Sequence, residues 1–166
     1  MTLMPQVYLE PGDFHFGAAP LRLVTLLGSC VTVTLWHPRR HIGGMCHIQM
    51  PGRGAQRGSE TLDGRYADDA FALFDQILTR HGSAHQEYVA KLFGGGNMFP
   101  DNLAGSIEVG NRNVVAARRL LAERKLQPAK EHVGGAGHRK LIFDLATGDV
   151  WLAFSNLEAV KEAASV

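Results

Sequence analysis

The run Thr25-Leu-Leu-Gly-Ser-Cys-Val-Thr-Val-Thr-Leu-Trp36, answered by Ile42-Gly-Gly-Met-Cys-His-Ile-Gln-Met50, constrains this chain more than any other part of it. From Cys30 onward apolar and polar residues alternate. Val31, Val33 and Leu35 take one face, and Cys30, Thr32 and Thr34 the other, which is the period of a strand with two unlike faces. In the second segment Met45, His47 and Gln49 share one face while Cys46, Ile48 and Met50 share the other. The connection His37-Pro-Arg-Arg40 suits a four-residue hairpin loop built on a type I turn. With Trp36 opposite His41, Cys30 falls directly opposite His47, with Cβ atoms about 4.5–5.5 Å apart. A slip of one residue turns one of those side chains to the far face.

A thiol beside an imidazole is the minimal equipment of a cysteine hydrolase. Cys30 follows directly on Gly28-Ser29, a tight turn whose backbone N–H groups leave the ladder and can face a developing oxyanion. His47 is the natural base, and as an imidazolium it would draw the thiol pKa down. Its other ring nitrogen needs an orienting acceptor, for which Thr25 and Gln49 are both candidates. Cys46, grouped with Ile48 and Met50, reads as a small buried hydrophobe.

The remaining chain reads as scaffold. Val7–Leu9 is a short strand broken at Glu10-Pro-Gly-Asp13, and a loose segment ending at Pro20 leads into a strand over Leu21–Leu27. Pro51–Gly58 is a glycine- and arginine-rich loop. From Tyr66 the period becomes helical: Ala70, Phe71, Phe74, Ile77 and Leu78 form one stripe, Asp68 and Asp69 sit in the first turn, and Gly82 is the stop. Tyr88–Phe93 is a strand into Gly94-Gly-Gly96. Ser106–Val109 reads as a further strand ending at Gly110, with Asn111 capping a second helix. Lys140–Asp144 and Asp149–Ala153 form a hairpin, and the tail from Ser155 is a short helix or frayed.

Length and composition bound the function. The 166 residues suit one domain, with residues 1–6 and 155–166 as frayed tails, and 45% hydrophobic with 20% charged residues is ordinary for a globular protein. A net charge of +1 gives no reason to expect nucleic acid or a membrane as partner. Two cysteines make no disulfide framework, and no signal peptide or spanning segment is visible, so a cytoplasmic location is expected. His37 with His41 and His81 with His85 lack companion ligands at a known spacing, so no metal and no cofactor is expected. Arg118-Arg119 reads as the solvated face of a helix.

Taken in order, Leu27-Gly-Ser-Cys-Val31, Gly44-Met-Cys-His47 and Leu62-Asp-Gly-Arg-Tyr-Ala-Asp-Asp-Ala70 resemble the CheD family of bacterial chemoreceptor glutamine deamidases. Lys91-Leu-Phe-Gly-Gly-Gly-Asn-Met98, Gly110-Asn-Arg-Asn113 and Gly134-Gly-Ala-Gly-His-Arg-Lys140 continue the likeness, which runs from about residue 7 to residue 153. The resemblance implies a compact α/β layered sandwich of mixed sheets with helices packed on the outside. It implies a catalytic Cys30 and His47, with Thr25 as the third residue orienting His47. The chemistry implied is attack of Cys30 on a receptor glutamine, an oxyanion held by the Ser29 and Cys30 backbone, and a thioester hydrolysed to glutamate. Methylester hydrolysis is implied for some members. Implied partners are the cytoplasmic helical region of methyl-accepting chemoreceptors and the phosphatase CheC, with the protein itself a monomer. The other reading is a non-catalytic partner that regulates a CheC-type phosphatase.

Overall fold

The computed structural model describes residues 3–53, 61–98 and 106–156, and within 106–123 the side chains from residue 109 onward. Alternating runs build nine strands in two sheets. The first sheet has the order β1 (Gln6–Leu9), β3 (Arg22–Leu27), β8 (Gly137–Asp144), β9 (Val150–Asn156). The second has the order β2 (Phe14–Ala18), β5 (Ile42–Cys46), β4 (Val31–His37), β6 (Val89–Gly94), β7 (Lys130–Val133). Pairings β1–β3 and β6–β7 are parallel and the rest antiparallel, so both sheets are mixed.

Helices α1 (Ala67–Arg80) and α2 (Ser106–Glu123) cover one face of the second sheet. There Val31, Val33, Leu35, Cys46 and Ile48 pack with Phe71, Phe74, Leu78, Ala117 and Leu121, the stripe that the helical period places on one side of each helix. The opposite face of the second sheet packs on the first sheet. Met45 and Trp36 meet Leu9, Leu23 and Phe143 in one patch, and Leu27, Phe93 and Leu141 form a second patch against Cys30. The architecture is the expected α/β layered sandwich, with both helices on the same outer side. Gly82 takes φ +62° one residue past the cap of α1 and ends it as expected.

Four local expectations are corrected. His37 remains in β4 and pairs with Ile42, so the hairpin loop is Pro38–His41 and the whole pairing moves by two residues. His41 closes that loop at φ +52° with its ring stacked 5.7 Å from Trp36. Ser106–Val109 is the first turn of α2 and not a strand, and Asn111 lies inside the helix and does not cap it. The loose segment before Pro20 contains β2, whose Phe14 and Phe16 pack under the helices. Lys130–Val133, with no alternating pattern, forms β7 by parallel pairing at the sheet edge. Expectations for residues 54–58 of the glycine-arginine loop and for 157–166 lie outside the described residues.

Candidate active site

β3 belongs to the first sheet and β4 to the second, so the chain changes sheets across Gly28-Ser29-Cys30. Three successive carbonyls at this corner are held in place. Gly28 O accepts from Gly96 N at 2.9 Å and Cys30 O from Gly95 N at 2.9 Å. Ser29 O accepts from Asn113 Nδ2 at 3.1 Å. Among the described residues, the N–H groups of Ser29 and Cys30 donate to no acceptor. Cys30 itself is partly exposed at the end of the seam between the sheets.

His47 lies just beyond β5. Its N–H donates to Asp13 O at 3.1 Å and its carbonyl accepts from Gly12 N at 2.9 Å, which fixes the backbone. Val31 and Ile48 exchange both backbone hydrogen bonds, so Gln49 is the residue facing Cys30 and Thr32 the one facing His47. A shift of two keeps the faces. Cys30 and His47 therefore share a side as diagonal neighbours, a spacing of about 7–8 Å or somewhat less between Cβ atoms, and not as a directly opposed pair.

The face they share is not the polar outer face that its threonines suggest. Thr32, Thr34, Met45 and His47 are all buried against the first sheet, His47 at 3% exposure. From that sheet Thr25, fully buried on β3, meets the imidazole: Thr25 Oγ1 lies 2.8 Å from His47 Nδ1. Thr25 also donates its single hydroxyl hydrogen to Leu9 O at 2.8 Å. The oxygen must then accept from Nδ1–H, which leaves the lone pair of the neutral ring on Nε2. Gln49, the other candidate, has an exposed side chain.

Burial lowers the His47 pKa from its ordinary value, partly offset by the Leu9 carbonyl and the Asp13 charge. Burial raises that of Cys30. Both shifts favour the uncharged forms, the opposite direction to the thiolate–imidazolium pair expected from the sequence. Cys46 is buried, and its thiol is pushed up to about 12 by desolvation. Its Sγ accepts from Val33 N at 3.4 Å, standing in for a ladder bond.

Sequence reasoning missed Asn113. Gly110 is no strand end; a Cβ placed there would lie 2.6 Å from Gly95 O and 2.9 Å from Gly96 O. The bare helix backbone can therefore lean on the Gly94–Gly96 turn, which takes φ +115° and +69° at its first two residues. One turn later Asn113, fully buried, sends Nδ2 to both Ser29 O and Gln49 O at 3.1 Å. Among the described residues its Oδ1 has no partner, a cost of about 1–3 kcal/mol for a buried polar atom. The readable signal was a buried-face asparagine three residues after a helical glycine. Arg139, at 1% exposure, was also missed: it donates to His132 Nδ1 at 2.9 Å and Gly134 O at 2.6 Å, and covers Phe154.

Two of the histidines weighed as metal ligands are paired with carboxylates instead. His37 Nε2 meets Glu87 at 3.2 Å and His85 Nε2 meets Asp75 at 2.7 Å. Among the described residues no group of three His, Cys, Asp or Glu side chains is placed to hold a metal ion. No helix there is long and apolar enough to cross a membrane.

Comparison with known proteins gives a match to the family described as CheD chemotactic sensory transduction, over residues 49–154. A probable chemoreceptor glutamine deamidase of Dechloromonas aromatica is 50% identical over 149 residues, covering 90% of this chain and 87% of that protein. One from Pseudomonas savastanoi pv. phaseolicola is 44% identical over 161 residues, covering 96% and 90%. One from Chromobacterium violaceum is 40% identical over 158 residues, covering 95% and 81%.

Proposed function

The chain belongs to the CheD family, and from that membership we propose that it is a cysteine hydrolase converting glutamine side chains of chemoreceptors to glutamate. The observation that carries the catalytic assignment is the hydrogen-bonded run from Leu9 O through Thr25 Oγ1 to His47 Nδ1. It leaves Nε2 as a base on the same face as the thiol at the sheet-changing corner.

In the proposed reaction His47 Nε2 takes the thiol proton as Cys30 Sγ attacks the side-chain amide carbon. The amide oxygen becomes an oxyanion received by the Ser29 and Cys30 N–H groups. As the tetrahedral centre collapses, the C–N bond breaks and the imidazolium gives its proton to the departing ammonia. A thioester remains. His47 then takes a proton from water, whose oxygen attacks the thioester carbon; the C–S bond breaks and the thiol recovers its proton. Thr25 keeps the ring in one tautomer throughout. A methyl ester of glutamate would enter the same path with methanol leaving.

The partner in this reading is the helical cytoplasmic region of a methyl-accepting receptor, met in the cytoplasm by a monomer. A CheC-type phosphatase as second partner rests on the family resemblance alone, and co-purification tests it. The catalytic assignment is tested with a receptor cytoplasmic fragment, reading the mass change of one NH2-to-OH exchange per glutamine. Wild type should produce it, while Cys30→Ala and His47→Gln should each abolish it, and the double variant should be no worse than either, because the two groups act as a unit. Substantial turnover by Cys30→Ala would sink the proposal.

A further inference from the structure

Asn113 is fully buried and, among the described residues, its amide oxygen is unpaired, while both hydrogens of its nitrogen go to backbone carbonyls at the corner. The orientation is forced, because both neighbours are acceptors and only the nitrogen can donate. Such an amide is held for what its nitrogen does. Ser29 O and Cys30 N–H belong to one planar trans peptide, so they point in opposite directions. A donor fixed on Ser29 O therefore sets the direction of Cys30 N–H. Gly96 N does the same for Ser29 N–H through Gly28 O. The second hydrogen of Asn113 ties Gln49 O, two residues beyond His47, so one side chain joins the segments carrying the thiol and the imidazole.

We propose that Asn113 is a positioning residue for the oxyanion site: by holding Ser29 O it aims Cys30 N–H at the oxygen of the attacked amide. The inference rests on the deamidase reading above. α2 can deliver this group only because Gly110 and the glycine turn let the helix approach so closely.

The test compares wild type, Asn113→Ala and Asn113→Ser as full-length proteins, each with receptor fragment and, separately, with iodoacetamide. Alkylation displaces iodide from carbon and creates no oxyanion, so it reports the nucleophile alone. Deamidation needs the oxyanion donors as well. For Asn113→Ala, kcat should fall roughly 10- to 100-fold, the scale for a misaimed or lost donor, with KM and the alkylation rate of Cys30 little changed. Asn113→Ser, which keeps one donor, should fall between. Three outcomes would overturn the proposal: undiminished kcat in Asn113→Ala, alkylation falling in step with deamidation, or failure of both variants to fold, which would assign Asn113 to the scaffold. Absence of any mass change with wild type would instead remove the deamidase reading. The two failures are thus distinguishable.

Discussion

At the scale of single residues, the two cysteines differ by environment alone. Cys46 is sealed in the core and bonded to the Val33 backbone, whereas Cys30 reaches solvent at the corner. Iodoacetamide should therefore label Cys30 in the native protein and Cys46 only on unfolding. Equal rates would contradict the site. For His47, a lowered pKa keeps the base neutral to lower pH, so the acid limb of kcat/KM should lie below the ordinary imidazole value of 6.5. The same shift affects stability with a definite sign. The unfolded chain takes up the proton first, so stability present above pH 6.5 is lost as pH falls below it. Denaturant titrations on either side of that value should show the loss in wild type and less of it in His47→Gln. Thr25 is fully buried and satisfies both Leu9 O and His47 Nδ1. Thr25→Ala should thus cost about 1–3 kcal/mol of stability and about tenfold or more in kcat, tenfold being about 1.4 kcal/mol; Thr25→Ser should restore most of both. An untouched melting temperature in Thr25→Ala would argue against the hydrogen-bonded run. Alternation in the sequence told which residues share a face with Cys30. It could not tell that this face is the inner one, because threonines look alike whether water or a second sheet lies beyond them.

At the scale of elements, strong periodic segments were legible and edge segments were not. α1 follows its stripe from Ala70 to Leu78, and β4 its alternation. β7 has three exposed residues out of four, so no local pattern marks it as a strand, and it is specified by pairing with β6 and by distant side chains such as Arg139 on His132 and Arg118 on Glu131. The misreading of residues 106–110 has a sharper cause. A glycine after β-branched residues looks like a terminator, yet Gly110 serves close approach of a helix to Gly95 and Gly96. Gly110→Ala weighs two effects against each other. Alanine favours the helix by roughly 0.8–1.0 kcal/mol, while the forced shift from backbone oxygens costs about 1–3 kcal/mol. The collision should win. Denaturant unfolding should show net destabilisation, with deamidation falling further because Asn113 is carried outward; a more stable and fully active variant would show that the contact is slack.

At the scale of the whole molecule, the site belongs to neither sheet. Thr25 stands on the first, His47 follows a strand of the second, and Cys30 occupies the passage between them. The seam that joins the sheets therefore also assembles the proposed catalytic set. Activity and secondary structure should be lost at the same denaturant concentration, followed by turnover and far-UV signal on one sample. Activity lost well before the transition would mean that the corner opens independently of the seam. This arrangement was only half legible: the sequence placed Cys30 and His47 on one face, but the sheet supplying Thr25 is set by long-range pairing of β3 with β1 and β8, which no local pattern carries.

A chain handed from one sheet to another leaves the ladders for a few residues, and its peptide hydrogens must look elsewhere: between β1 and β2 those of Glu10, Gly12 and Asp13 all find acceptors. At the Cys30 crossing, among the described residues, the hydrogens of Ser29 and Cys30 find none. Here the cysteine is the last residue of that handover, so the groups proposed to meet a guest's oxygen are ones to which the described scaffold gives no other acceptor. Filling such a vacancy asks nothing of the ladders on either side. A hydrolase built at a sheet crossing can therefore host a charged intermediate without loosening the framework that holds it.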